Sequence, residues 1–528
     1  MSLVLIGPPG AGKSTVGALV AQRLGVDFID NDQAIEASQG KSVAEIFATD
    51  GEAGFRQLEV KTALSLLKFQ TTIVALGGGA ITQPAIVKAL ADWDVVLWLD
   101  VSVEEASLRL AAEPGQRPLL DGDLPGRLST LMNERRRQYA AVATNRIDTT
   151  GLTEAEAVEG VLALAETYTS NIEVKTAQPY PVLIGHGVIS GLAGFVCQAN
   201  KVAIVSTPAL SALTVQVERE ILAAGVQVYR LEIPDGEAAK NAETLTQSWI
   251  KLAEAGLTRS DLIIGVGGGA TTDIAGFLAA SYLRGISWIA VPTTVLGMVD
   301  AAIGGKTGID LPQGKNLVGA FHQPLAVLSD LDTLASLPLA EFRSGLAEAA
   351  KVGFTDDPKI LDLIEANPPE VLDFSSARLA EIITRAVEVK TRVVADDAYE
   401  RTSTDVVGRE RLNYGHTLAH AIEAHEDYSW RHGEAVAVGA VFAAELASRL
   451  TELPRDLVDR HRSIYSALGL TISYNQAVWE DLQTITARDK KARGQALRFV
   501  LLEGLGQVVI ATDPPESALR QAYQAIAS

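Results

Sequence analysis

Residues 412–423 read LNYGHTLAHAIE and set His416 and His420 four apart. On a helix both imidazoles leave one face, a turn apart. His432 follows in RHGEAVAVG, and RSGLAEAAKVG puts Glu348 and Lys351 on one helical face. With seven His in 528 residues, crowding His416, His420 and His432 into one short stretch is not chance scatter. A single one would read as a hydrogen-bonded core histidine. The cluster reads as two ligands of one metal, or as one ligand and one base.

Near the start, GPPGAGKST (Gly7 to Thr15) matches G-x-x-x-x-G-K-[ST] between a strand-like LVLI and a helical VGALVAQRL. Gly10 and Gly12 let backbone amides converge on phosphate oxygens. Lys13 neutralises the outer phosphates, Ser14 offers its hydroxyl to Mg²⁺, and Thr15 completes the motif. FIDND supplies Asp30 and Asp32 at strand spacing, which puts both carboxylates on one face near the strand's end. One suits a metal and the other an acceptor hydroxyl; taken alone, a turn rich in Asp and Asn explains the pair equally well.

A third glycine turn, GVGGGATTD, follows an apolar run. It fits G-x-G-x-x-[GA] formally but lacks the acidic residue that a dinucleotide fingerprint places further on. Beyond it, PTTVLGMVDAAIGGKTGIDLPQGKNLVGAFHQP packs Asp300, Lys306, Lys315 and Asn316 among glycines. The chain carries 45 Lys and Arg against 65 Asp and Glu, a formal charge of -20. Lysines beside glycine turns against that background point to a local phosphate or carboxylate pocket. The same charge argues against nucleic acid and acidic membrane surfaces and for small-molecule substrates.

Three or four domains fit the length, and 47% hydrophobic with 21% charged content is that of a globular protein. A single cysteine, Cys197, excludes an internal disulfide and a thiolate zinc site, so a metal must use His, Asp or Glu. No signal-like start or membrane-length apolar run is present, which predicts a cytoplasmic protein. LVLIG, TTIVALGGG and DVVLWLD alternate with helical segments, predicting a parallel sheet over residues 1–168. Residues 169–178, with two prolines around Tyr180, are expected as a link. KVAIVS, VQVYRLEI, DLIIGVGGG and SWIAVPTT predict a second α/β unit over 179–333, and helical periods dominate 334–528. The expected architecture is a P-loop kinase domain with a parallel sheet, then a Rossmann-like α/β domain, then an α-helical metal-binding domain.

With FIDND, GEAGFRQLE, ALGGGAIT, RPLL and ERRRQYAAVA following the phosphate loop in order, the first domain resembles shikimate kinase. The resemblance implies ATP with Mg²⁺, Asp30 with Ser14 in the metal shell, and Asp32 holding the acceptor hydroxyl. It also implies that Arg56 and Arg135 grip a carboxylate, that Gly77, Gly78 and Gly79 lie close to the ring hydroxyls, and that Arg117 reaches the transferring phosphoryl group. Within the charge run ERRR, the four-residue offset from Tyr139 favours Arg135 over its neighbours.

From about residue 172 onward the motifs resemble 3-dehydroquinate synthase. That resemblance implies zinc (or cobalt) on Glu348, His416 and His432, with His420 left to substrate or proton handling. It implies NAD beside Gly267, Gly268, Gly269, Asp273, Thr293 and Thr294, with Glu237 and Lys240 on the ribose side. Asp300, Lys306, Lys315, Asn316, Lys351, Lys390, Arg409 and Asn413 are expected around the substrate, with Arg284 and Lys490 or Lys491 near its anionic groups. Two departures stand out: VSTPAL places Ser206 and Thr207 where relatives often hold an acidic or amide group, and the segment between Lys390 and Arg409 is longer than usual. A homodimer through this half is expected.

Together these readings give a bifunctional enzyme that phosphorylates shikimate and cyclises 3-deoxy-arabino-heptulosonate 7-phosphate to 3-dehydroquinate. One alternative for the second half is another sugar-phosphate cyclase or a polyol dehydrogenase. Against it, Lys390 and Arg409 would be left as unpaired buried cations by a substrate without a carboxylate. The other is a nucleotide-sensing scaffold, which the competent residues at every named catalytic position disfavour.

Overall fold

Short apolar runs that bury every side chain become the inner strands of a parallel sheet, because both faces are covered. The computed structural model describes residues 3–68, 72–93, 95–112, 122–166, 169–397, 407–493 and 496–528. In the first half, β1 (Leu3–Ile6), β2 (Asp27–Asp30), β3 (Thr72–Ala75), β4 (Val96–Asp100) and β5 (Asn145–Asp148) line up as β2-β3-β1-β4-β5, all parallel. The fully buried β1, β3 and β4 lie inside, and the more exposed β2 and β5 form the edges.

The second half is built on β6 (Thr169–Val174), β7 (Tyr180–Gly185), β8 (Lys201–Ser206), β9 (Gln227–Glu232), β10 (Leu262–Gly267), β11 (Ser287–Pro292), β12 (Lys306–Leu311), β13 (Gly314–Phe321) and β14 (Ala326–Asp330). Seven of these form one sheet in the order β6-β7-β14-β11-β10-β8-β9. Only β6 runs antiparallel to its neighbour. β6 occupies residues expected as a link: Ile172 and Val174 pack on the core while Asn171 and Glu173 alternate with them, a strand pattern. The strand order turns back between β8 and β10, so their carboxyl ends flank the crevice where such sheets bind ligands. β12 and β13 pair as a separate antiparallel hairpin.

Among the described residues beyond 334 the elements are helical, except for a hairpin of β15 (Arg498–Gly504) and β16 (Gln507–Thr512). Helix His432–Leu450 is buried along nearly its whole length, which its run of small residues permits. A Cβ on Gly433 would sit 1.9 Å from Ser344 O, and one on Gly439 would sit 2.1 Å from Gly415 O. Glycine at these points lets helix His432–Leu450 touch the backbone of helix Leu339–Thr355 and of the turn that starts helix His416–His425. The first and second halves also share an apolar core: Trp98, Tyr139 and Ala140 belong to one cluster with Ile189, Leu192, Val217 and Ile221.

Candidate active sites

Positive φ at Gly7, Gly10 and Gly12 (146°, 80° and 86°) shapes the loop between β1 and helix Lys13–Leu24, a conformation that favours glycine. Lys13 Nζ folds back over it to Gly7 O (2.9 Å) and Pro8 O (3.0 Å). Ser14 Oγ donates to Asp30 Oδ2 at 2.6 Å. β2 ends at Asp30, whose other oxygen accepts from Asp32 N and caps helix Asn31–Gln39. Strand alternation therefore does not aim the two carboxylates; Asp32 reaches the site from the first helical turn.

A cavity of about 640 Å³ is lined by Lys13, Ser14, Thr15, Asp30, Asp32, Arg56, Gly77 to Gly79 and Arg135. That volume suits small-molecule ligands. Arg135 Nη1 (2.9 Å) and Tyr139 Oη (2.5 Å) both donate to Gly78 O, so the four-residue offset places both side chains on one carbonyl. A Cβ on Gly77 would meet Asp32 Oδ1 at 2.8 Å, and one on Gly79 would meet Arg56 Nη1 at 2.3 Å. Arg56 is braced by Glu59 at 2.7 Å, a buried carboxylate the motif reading passed over because its neighbours form a charged helix face. Burial, then the nearby Asp30 and Glu59 charges, push Asp32 up to about 6, against the opposing pull of Lys13 and Arg56. Asp32 is thus ionised at neutral pH but close to titrating. Arg117 lies outside the described residues.

In the second half, one oxygen or nitrogen each from Glu348, His416 and His432 lies within 4.8 Å of the others. His416 Nε2 and His432 Nε2 stand 3.4 and 3.3 Å from Glu348 Oε1. His416 Nδ1 donates to Tyr414 O at 3.1 Å, which leaves its Nε2 lone pair facing the cluster. Burial and Lys351 push His416 down to about 3, so that ring is neutral. At His432 burial acts downward, but Glu348 and Glu423 outweigh it and push the ring up to about 10. Glu348 Oε1 is buried without a hydrogen-bond donor, while Oε2 pairs with Lys351. Two imidazoles and an under-satisfied carboxylate oxygen at one point fit a divalent cation. His420 is not in this set: it is exposed, with its ring edge-on to His416 at 5.3 Å.

Glu423, another buried residue not singled out from the sequence, accepts from His432 Nδ1 at 3.3 Å. Its helical offset from His416 and His420 is the signal that would have found it. Lys315 lies 3.7 Å from Glu423, 3.7 Å from Glu237 and 4.5 Å from the Tyr428 ring centroid. Lys240 joins Asp273 (2.7 Å) to Asn316 (2.5 Å), close to the turn of Gly267 to Gly269. Thr293 N donates to Gly267 O at 3.0 Å, and a Cβ on Gly268 would meet Thr294 Cγ2 at 3.2 Å. At the end of β8, Ser206 Oγ accepts from Thr214 and Thr207 is buried.

Lys390 pairs with Asp300, and Lys351 also donates to Leu412 O. This corrects one expectation, since Asp300 supplies Lys390 with a carboxylate from within the protein. Arg409 is buried, with Nη2 2.7 Å from the Cβ position of Gly304, whereas Asn413 and Lys306 are exposed. Arg284 follows the far end of helix Gly269–Ser281, about 20 Å along the axis from the glycine turn. The side chains of Lys490 and Lys491 lie outside the described residues.

The 3-dehydroquinate synthase N-terminal and C-terminal family models match residues 230–344 and 345–492, and the shikimate kinase model matches residues 9–166. The 3-dehydroquinate synthase of Cutibacterium acnes is 51% identical over 359 residues, 67% of this chain and 98% of that protein. The chain belongs to the 3-dehydroquinate synthase family. A second relative, the 3-dehydroquinate synthase of Mycolicibacterium gilvum, is 49% identical over 67% of this chain and 98% of its own length. Ahead of this synthase half stands a shikimate kinase domain, so the chain is a bifunctional shikimate-pathway enzyme. Among solved structures, 2-deoxy-scyllo-inosose synthase in complex with carbaglucose-6-phosphate, NAD⁺ and Co²⁺ shares the fold of the synthase half. Its TM-score is 0.60 at 24% identity, covering 68% of this chain and 99% of that one. The 2-epi-5-epi-valiolone synthase of Streptomyces hygroscopicus, with NAD⁺ and Zn²⁺ bound, has a TM-score of 0.60 at 24% identity over 66% of this chain and 96% of that one. Among the described residues no helix is long and apolar enough to cross a membrane.

Proposed function

We propose that Glu348, His416 and His432 hold a zinc or cobalt ion for the cyclisation of 3-deoxy-arabino-heptulosonate 7-phosphate, with NAD⁺ at the Gly267 to Gly269 turn. The observation that carries this reading is the meeting of Glu348 Oε1 and two imidazole Nε2 atoms at one point. When bound, the cation supplies Lewis acidity to a substrate oxygen and NAD⁺ supplies a reversible hydride acceptor. Lys240, paired with Asp273 and near Glu237, would meet the cofactor's ribose together with Glu237. His420, exposed beside His416, takes and returns the substrate's protons. Lys306, Lys315, Asn316, Lys351, Arg409 and Asn413 surround the substrate, with Lys390 held by Asp300 at its edge.

In the kinase half, Arg56 and Arg135 orient shikimate through its carboxylate and Asp32 accepts the proton of the attacking hydroxyl. The hydroxyl oxygen bonds to the γ-phosphorus of ATP as the bond to the bridging oxygen breaks and ADP leaves. Lys13 and Arg117 would offset the charge on the transferring group, and Ser14 with Asp30, hydrogen-bonded to each other, would hold Mg²⁺. A homodimer through the synthase half belongs to the same reading. Leu311, Leu317, Val318 and Phe321, all exposed on the hairpin of β12 and β13, support it, and sedimentation would test it.

Phosphate release from the heptulosonate by the purified chain, with and without NAD⁺ and with a chelator, tests the cyclase. Release that needs both NAD⁺ and metal, with no NADH accumulating, is expected. Net NADH formation from a polyol would instead support the dehydrogenase alternative. Shikimate-dependent ADP formation in the same preparation tests the kinase.

A further inference from the structure

β5 closes one edge of the kinase sheet, yet the side chain of its Arg146 is only 7% exposed because the synthase half covers it. Its guanidinium meets Glu220, on synthase helix Ser211–Ala223, in a two-pronged pair: Nε to Oε2 at 2.9 Å and Nη2 to Oε1 at 3.0 Å. The third nitrogen, Nη1, reaches Asp100 Oδ2 at 3.1 Å within the kinase. The surrounding joint is close. Asn145 Nδ2 donates to Ser190 Oγ at 3.0 Å, and a Cβ on Gly191 would sit 2.3 Å from Thr144 O.

From Arg146 the contacts run inward to the acceptor site. Its Cζ lies 5.8 Å from the centroid of the Trp98 ring, a cation over an aromatic face. Trp98 stacks on Tyr139 with ring centroids 5.8 Å apart and planes at 22°. Tyr139 Oη donates to Gly78 O, the carbonyl that also receives Arg135. Trp98 and Tyr139 are each 1% exposed, so neither ring can turn without displacing the other. Arg146 and Glu220 do not line the cavity, so neither acts by touching a ligand there.

We propose that Glu220 of the synthase half is a positioning residue for the kinase's acceptor site, acting through Arg146, Trp98 and Tyr139 on the carbonyl of Gly78. The inference rests on the reading that the first domain phosphorylates shikimate at that turn. Its physical basis is that a fork-shaped cation held by two carboxylates has one orientation. With Glu220 gone, Arg146 is drawn toward Asp100 and Asp148, which lies 4.0 Å away, and off the face of Trp98. Tyr139 then loses the packing that aims its hydroxyl, and the Gly78 turn loses one of its two fixed donors. The kinase is thus not complete within its own sequence; one support for its substrate turn comes from the synthase.

The test uses the full chain carrying Glu220→Ala or Glu220→Gln, with kinase kinetics and synthase turnover measured on the same sample. The expected result is a rise in the shikimate KM of about three- to tenfold for Glu220→Ala, with a smaller rise for Glu220→Gln, whose amide oxygen still accepts from Arg146. The ATP KM and the synthase turnover should not move. If Glu220→Ala does not fold, Glu220→Gln alone decides. An unchanged shikimate KM in folded protein overturns the proposal. So does an equal loss across kcat, ATP KM and shikimate KM, which would report general loosening of the kinase. Wild-type protein that fails to phosphorylate shikimate would remove the activity reading itself, and is seen before any variant is compared.

Discussion

In the kinase half most of the groups that face the cavity sit at the ends of neighbouring parallel strands, Lys13 after β1, Asp30 and Asp32 at the end of β2 and Gly77 to Gly79 after β3, with Arg56 and Arg135 added from two helices. In the synthase half the metal cluster joins residues 348, 416 and 432, each on a different helix. The first arrangement is set by a sheet whose strand ends already lie side by side. The second exists only where three helices approach to backbone contact, at Gly433 against Ser344 and at Gly439 against Gly415. A site of the first kind is written in compact motifs. One of the second kind depends on packing far from the reacting atoms.

The sharpest test of this contrast is at the cluster. Glu348→Gln should empty the metal site and lower synthase turnover by about 10³-fold or more, leaving kinase activity intact. His420→Ala should keep its metal and lose turnover by about 10²–10⁴-fold. Metal analysis of both variants separates ligand from base, and equal metal loss in His420→Ala would reverse the assignment.

On the kinase side, Asp32→Asn should lower turnover by about 10²–10⁴-fold without touching the synthase. It should also stabilise the unliganded chain. The folded carboxyl is raised from 3.8 to about 6, so over that window the native state holds a proton that the unfolded chain has released. Stability therefore falls as pH rises through the window, and the full cost, about 3 kcal/mol, stands above pH 6. Removing the charge should raise the melting temperature at pH 8 but not at pH 3. The wild-type kinase should in turn lose activity as pH falls through about 6, where Asp32 can no longer accept a proton.

Smallest is the effect expected at Glu423, which fixes the ring of His432 through Nδ1. Glu423→Gln should weaken metal affinity by about 10–100-fold in competition with a chelator, with the protein otherwise folded. Unchanged affinity would reduce Glu423 to a packing role.

Much of this is legible in the sequence. The strands quoted from the sequence became β1, β3, β4 and β8 to β11; all but the edge strand β9 are continuous apolar runs, as buried parallel strands are. Arg135 was separable from Arg136 and Arg137 by its register with Tyr139, and both reach Gly78 O. The aim of Asp32 was not legible, because Asp30 spends one oxygen on capping the next helix and ends the strand. Glu59 and Glu423 were missed because each sits in an ordinary helical face, and only burial marks it out. The pairing of Lys390 with Asp300 joins residues 90 positions apart, beyond the reach of a local pattern.

By itself the sequence determined the phosphate loop, the glycine turn, the alternation of strand and helix, and the crowd of histidines, since all are local matters of residue type and spacing. Which imidazole faces Glu348, which carboxylate holds His432, and how a synthase glutamate comes to brace the kinase sheet were decided only by tertiary structure. Those choices depend on how closely separate elements approach, and closeness in space is fixed by packing across the whole chain.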